Sequence, residues 1–232
     1  MKKFNPYSKL NRFIKKKTNI IKEKINVHSN YQEINSKTIF NKLPTFYQGA
    51  FIDPGIVSCA IRIVRFFPEY DNIEVLWFSI HNFGHELDEI MKNTDKELNE
   101  ISNLLIYCHY IVIEHQFKNG VKDINYRSYQ HLFSTLSNIV RDKGFLPILY
   151  EVDVSLKTSS ISGPKNKNEN GGSSIKDWSV NKAYEINLMR NDYLSNCILN
   201  NCNVKQKQDL SDTICYEYAW WLYLKNFDKN YI

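Results

Sequence analysis

The chain has few of the residues that make tight turns, with 8 Gly and 6 Pro in 232 residues. This scarcity argues against an all-β fold with many turns. Its five cysteines are odd in number and include no Cys-x-x-Cys pair, so neither a disulfide framework nor a zinc site is expected. The sequence also lacks an apolar run of about 18 residues and a signal-peptide core near its N-terminus. We therefore expect a soluble, intracellular protein with buried thiols and no membrane partner.

The positive charge of the chain is concentrated at its N-terminus. Residues 1–24 hold nine Lys or Arg against one Glu, a net +8, so the remaining residues carry a net −3 of the total +5. We predict a basic, partly disordered N-terminal arm over residues 1–48 and one folded domain over residues 49–232, which at 43% hydrophobic content can bury a core. The arm either binds a polyanion or is a solvated tail without a partner.

Apolar periodicity predicts an α/β fold. Residues 49–67 indicate two strands joined by a turn at Asp53-Pro54-Gly55, and residues 73–83 a third strand. Helices are predicted over 85–107, 126–144, 176–194 and 208–227, strands over 110–116 and 145–154, and a long polar loop over 155–174. This order predicts a mixed sheet, with three antiparallel strands followed by parallel strands and with helices on both faces.

Four carboxylates stand at the boundaries of predicted elements. Asp53 lies in the middle of the first strand or at its end, Glu114 ends the fourth strand, and Asp209 and Asp212 open the last helix. Taken singly, each has an ordinary explanation as a solvent-facing strand end or a helix cap. Taken together, they would repel one another at one edge of the sheet unless a divalent cation neutralised them. Mg²⁺ prefers carboxylate oxygens, and a pair of such ions supports phosphodiester hydrolysis.

The stretches around these carboxylates resemble a known family. They read FIDPG (51–55), IVIEHQ (111–116) and KQDLSD (207–212), and their order and context are similar to those of poxvirus-type Holliday junction resolvases, which are RuvC-like members of the RNase H-like superfamily. The resemblance covers about residues 49–224. It implies an RNase H-like fold, a homodimer, branched DNA as partner, and an endonuclease that cleaves four-way junctions by symmetric paired nicks. It also implies two Mg²⁺ ions per active site, with Mn²⁺ as a substitute.

The resemblance also assigns roles to residues of this chain. It implies Asp53, Glu114, Asp209 and Asp212 as catalytic metal ligands and Lys176 as the catalytic lysine, with Lys182 as the other candidate. Contacts to nucleic acid are expected from Gln116, Lys118, Lys165, Lys167 and Lys182. The chain departs from the family pattern in its longer 155–174 loop and its fewer lysines before the following helix.

Other functions remain open at this stage. The same carboxylates would serve an RNase H-fold nuclease that cleaves RNA–DNA hybrids or an exonuclease, and a non-catalytic junction-binding protein could act through the basic arm. The resemblance to viral enzymes and the richness in Lys, Asn and Ile favour a large DNA virus as context. We expect the protein at a viral replication site in the host cytoplasm, with the nucleus or an organelle as alternatives.

Overall fold

The computed structural model describes residues 25–27, 45–67, 72–116, 123–141, 148–153, 155–164 and 175–228. Its strands are Ile25–Val27 (β1), Tyr47–Asp53 (β2), Cys59–Phe67 (β3), Asn72–His81 (β4), Tyr110–Glu114 (β5) and Ile148–Val152 (β6). Its helices are Leu87–Glu100 (α1), Ser102–Leu105 (α2), Ile124–Arg141 (α3), Leu156–Ser160 (α4), Ile175–Met189 (α5), Tyr193–Asn200 (α6) and Val204–Asp228 (α7). No helix in these ranges is long and apolar enough to cross a bilayer.

The strands form one mixed sheet in the order β1-β6-β5-β2-β3-β4. Strands β2, β3 and β4 pair antiparallel, whereas β5 runs parallel to both β2 and β6. This confirms the predicted mixed sheet of antiparallel and then parallel strands. The short strand β1 pairs antiparallel with β6. It lies within the segment predicted as the basic arm, where the sequence analysis assigned no strand.

Helices cover both faces of the sheet, as predicted. Because side chains alternate along a strand, neighbouring residues of β2 enter different cores. Ala50 and Ile52 belong to a core with Ile90 of α1 and Leu136 of α3. Phe51 belongs to the other core, which α5, α6 and α7 complete. The position of a β2 residue in this alternation therefore decides which set of helices its side chain meets.

Two predicted segments differ from the structure. The helix predicted over 176–194 is divided into α5 and α6, because Asn191 adopts a left-handed backbone conformation at φ 57°, which Asn tolerates better than most residues. Asp192 then caps α6 by accepting a hydrogen bond from the backbone N–H of Ser195 at 3.0 Å. The segment predicted as a polar loop over 155–174 begins with the short helix α4.

The last helix begins four residues earlier than predicted. Asn203 accepts a hydrogen bond from the backbone N–H of Gln206 at 3.0 Å, and the Gln206 side chain accepts one from the backbone N–H of Asn203 at 3.3 Å. This reciprocal pair is a capping box, and it starts α7 at Val204. Asp209 and Asp212 consequently lie in the second and third turns of α7. They do not cap the helix, so helix capping does not explain this pair of carboxylates.

Candidate active site

The first two carboxylates are brought together by the parallel pairing of β2 and β5. Phe51 pairs with Val112 in this register, and both side chains face the core beneath α7. Two residues further along each strand, Asp53 and Glu114 therefore face the same side, next to each other. Asp53 and Glu114 are the last residues of their strands, so each apolar strand has its charged residue only at its end.

One face of α7 supplies the other acidic residues. Asp209, Asp212 and Tyr216 are spaced by three and four residues, which places them on one side of a helix. The Tyr216 hydroxyl hydrogen-bonds to Glu114, which joins the helix to the end of β5. Ser58, in the turn after β2, donates a hydrogen bond to Asp209 Oδ2 at 2.5 Å. The site is therefore built from two strand ends, one turn and one helix face.

Two lysines complete the site. Lys157 Nζ lies 2.6 Å from Asp212 Oδ1, and Lys176 Nζ lies 2.6 Å from Asp212 Oδ2 and 3.0 Å from Asp209 Oδ1. The Lys157 side chain is 5% exposed, whereas that of Lys176 is 43% exposed. Lys157 is thus a fixed internal counter-ion, and Lys176 reaches the same carboxylates from the surface. The Lys157 ammonium group also lies 5.1 Å from the centre of the Tyr216 ring.

The sequence analysis did not identify Lys157, Ser58 or Tyr216 as part of the site. Lys157 falls in the segment predicted as a polar loop, and nothing in the sequence distinguishes a buried lysine there from a solvated one. Of the two candidates for the catalytic lysine, Lys176 contacts the carboxylates. Lys182 instead pairs with Glu185 at 2.6 Å on the outer side of α5.

The residues predicted to contact nucleic acid are only partly described. Gln116 lies two positions beyond Glu114, just past the end of β5, and is partly exposed. Lys118, Lys165 and Lys167 lie outside the described residues. The neighbouring His115 contacts Glu151 through its Nδ1 atom, and Tyr129 donates a hydrogen bond to the same carboxylate. These contacts lie on the face of the sheet that α3 covers.

The carboxyl groups of the site differ in the direction of their pKa shifts. Burial raises the pKa of Asp53 well above its ordinary value, and the nearby charges of Glu114 and Asp212 raise it further. Burial also raises the pKa of Glu114, against the opposing effects of Lys157 and Tyr216. Burial acts on Asp212 in the same direction, but Lys157 and Lys176 outweigh it and lower the pKa of this carboxyl. The two strand carboxylates therefore carry a charge that is costly in the absence of a further cation.

The donor set fits a hard divalent cation. All four side chains offer carboxylate oxygens, the ligands that Mg²⁺ prefers. Among the described residues, the Asp53 carboxylate makes no hydrogen bond or ion pair, and burial with the charges of Glu114 and Asp212 raises its pKa more than Lys176 and Lys157 lower it. The Lys176 ammonium group bridges Asp209 and Asp212. In this arrangement, no three or more Asp, Glu, His or Cys side chains in the described ranges are placed to hold a metal ion together.

Comparison with known proteins identifies the fold. No family model matches the sequence, and no curated protein matches it either. The structure is similar to that of the yeast mitochondrial Holliday junction resolvase Ydc2, with a TM-score of 0.52, 14% identity, and coverage of 94% of this chain and 99% of that chain. This likeness confirms an RNase H-like fold, and with it the predicted resemblance to Holliday junction resolvases at the level of fold.

Two further resolvase structures are similar at lower scores. Thermus thermophilus RuvC in complex with a Holliday junction substrate is 13% identical, with coverage of 77% of this chain and 95% of that chain and a TM-score of 0.49. The fowlpox virus resolvase in complex with Holliday junction DNA is 14% identical, with coverage of 75% and 98% and a TM-score of 0.49.

Proposed function

We propose that this chain is an endonuclease that cleaves four-way DNA junctions with the help of Mg²⁺. The observation that carries the proposal is the meeting of four carboxylates and two lysines at one end of an RNase H-like sheet. The likeness in fold to a mitochondrial Holliday junction resolvase supports branched DNA as the substrate class. The set of carboxylates supports direct, cation-assisted hydrolysis of a phosphodiester.

The acidic residues would hold the cations. Asp53, Glu114, Asp209 and Asp212 are the proposed ligands of Mg²⁺, with Mn²⁺ as a substitute and two ions per site. When bound, such ions supply an activated water and stabilise the charge on the phosphate that is being cleaved. Each of these side chains is carried by a strand or helix that packs into the buried core, so the proposed ligand positions would be set before substrate binds.

The remaining residues act on these ligands and on the substrate. Lys157 keeps Asp212 ionised in a buried setting, and Tyr216 orients Glu114 through its hydroxyl group. Lys176 is long, partly exposed and attached to the surface side of the site. It is therefore the residue that can move towards a DNA phosphate and stabilise negative charge there. Lys182 is proposed to contact DNA along the outer side of α5, and Gln116 beyond the end of β5.

Paired cleavage would require two copies of the chain. A four-way junction has near two-fold symmetry, and a C2 dimer presents two active sites related by the same symmetry. We propose a homodimer that nicks two strands symmetrically, at a viral replication site. The basic segment over residues 1–24 would add affinity for DNA that weakens as salt rises.

The test is cleavage of an end-labelled four-way DNA junction in Mg²⁺, beside a linear duplex and an RNA–DNA hybrid of matched sequence. Wild type is compared with Asp209→Asn, and junction binding is measured for both proteins in Ca²⁺ or EDTA. We expect paired symmetric nicks on the junction, lost in the variant while binding persists. Cleavage of the hybrid alone would make the protein a different RNase H-fold nuclease, and binding without any cleavage would make it a non-catalytic junction binder.

A further inference from the structure

The turn between β2 and β3 joins two of the acidic residues. It begins at Asp53, the last residue of β2, and ends at Ser58, directly before β3. The Ser58 hydroxyl donates a hydrogen bond to Asp209 Oδ2 at 2.5 Å, and both residues are buried, with only 9% of each exposed. This single turn therefore connects Asp53 at a strand end to Asp209 on α7, through a hydrogen bond whose partners, Ser58 and Asp209, are 151 positions apart in the chain.

The turn is held in place by its own backbone. The Phe83 N–H donates a hydrogen bond to the carbonyl oxygen of Ile56 at 3.0 Å. A Cβ atom added to Gly55 would lie 2.7 Å from the carbonyl oxygen of Ser58, closer than real atoms approach. Only glycine allows this close passage of the chain, which brings Ser58 back towards the site. The Ser58 hydroxyl is consequently presented from a constrained position.

The two oxygens of Asp209 have partners of different character. Oδ1 contacts Lys176, a flexible side chain that is 43% exposed, whereas Oδ2 accepts from the short side chain of Ser58. A serine has one side-chain torsion before its oxygen, so it fixes the direction of a bond more firmly than a lysine does. The Ser58 bond thus restrains one carboxylate oxygen, while the other oxygen can exchange its partner.

We propose that Ser58 is a positioning residue that orients Asp209 to bind a divalent cation. The inference rests on the proposed function in that it takes Asp209 as a cation ligand. Through the turn, the same short segment sets the positions of both Asp53 and Asp209. Hydrogen-bond partners of this kind set the orientation of metal-ligating side chains, and their loss lowers metal affinity.

The experiment is a titration of the DNA-free protein with MgCl₂, followed by calorimetry and by the rise in thermal unfolding temperature. The variants are Ser58→Ala, Ser58→Thr and, as a control, Ser128→Ala. Ser128 is equally buried, but its hydroxyl bonds within α3 to the carbonyl oxygen of Ile124. We expect Ser58→Ala to weaken Mg²⁺ binding about 10-fold or more, with Ser58→Thr close to wild type and Ser128→Ala unchanged.

The outcomes separate this inference from the proposed function. If wild type binds Mg²⁺ and Ser58→Ala binds it equally well, Ser58 is only structural and the inference is overturned while the proposed function stands. If wild type itself fails to bind, both are overturned. Should Ser58→Ala not fold, Ser58→Cys takes its place, because it keeps the volume with a much weaker donor. Equal affinity of that variant and wild type would likewise overturn the inference.

Discussion

Lys157 and Asp212 form an ion pair of 2.6 Å in which the two side chains are only 5% and 1% exposed. Removing one partner of a buried pair leaves the other charge without compensation, which typically costs about 3–5 kcal/mol. We predict that Lys157→Met lowers the free energy of unfolding by about this amount and reduces junction cleavage at least about 10-fold. Urea denaturation and cleavage of a labelled junction measure the two effects.

A matched control for Lys157 is Lys182→Met, which breaks the exposed Lys182–Glu185 pair on α5. Pairs of this kind contribute about 1 kcal/mol or less. Equal losses of stability in the two variants would contradict the assignment of Lys157 as the internal counter-ion of the site.

The carboxyl group of Asp53 predicts an unusual pH dependence of the metal-free protein. An acid whose pKa is raised on folding binds more protons in the folded state, so stability is lost as pH rises from its ordinary 3.8 through the raised value. Asp212 has the opposite shift, and its contribution is lost only as pH falls below about 4. We therefore expect the unfolding temperature in EDTA to fall more for wild type than for Asp53→Asn as pH rises above about 4.

The Asp53→Asn variant isolates this effect. It removes the costly charge, so in EDTA at pH 8 we expect it to be more stable than wild type by about 1 kcal/mol or more, roughly 2–4 °C in unfolding temperature. The same variant should not cleave. Mg²⁺ should stabilise wild type more than the variant, and an equal response of both proteins would count against Asp53 as a cation ligand.

We predict that the hydroxyl group of Tyr216 supports cleavage through its hydrogen bond to Glu114. Tyr216→Phe keeps the buried ring but removes the hydrogen bond to the carboxylate, a loss of about 1 kcal/mol or more. We expect junction cleavage to fall roughly 10-fold, whereas Glu114→Gln should abolish it. Tyr218→Phe, on the same helix but outside the site, is the control. A Tyr216→Phe variant with wild-type cleavage would limit the role of Tyr216 to packing.

The carboxylates of the site were predictable from the sequence, and their partners were not. Asp53 and Glu114 each interrupt a strongly apolar run at its end, and the parallel pairing of two such strands places them side by side. Lys157 carried no comparable signal, because its burial depends on how the segment after β6 folds back onto α7. The predicted start of α7 is too late because the capping pair of Asn203 and Gln206 lies before the apolar run that indicates the helix.

Arg62 is a further residue whose burial and partners the sequence did not predict, because they depend on how the helices pack on the sheet. It lies in the middle of β3 and is fully buried, and its guanidinium group bonds to Asp192 Oδ2 at 2.7 Å, Ser195 Oγ at 2.7 Å and Glu217 Oε2 at 3.1 Å. Arg190 also donates to Glu217. Strand β3 is thereby tied to both α6 and α7 by charged hydrogen bonds.

We predict that Arg62→Met destabilises the protein by about 3–5 kcal/mol, because Asp192 and Glu217 lose a buried partner. The comparison is Arg65→Met on the same strand, where the Arg65–Glu74 pair is 37% and 51% exposed and contributes about 1 kcal/mol or less. Urea denaturation measures both variants. Since α7 carries Asp209 and Asp212, the Arg62→Met variant should also bind Mg²⁺ more weakly. If both variants lost the same small amount of unfolding free energy, apolar packing alone would hold α7 on the sheet.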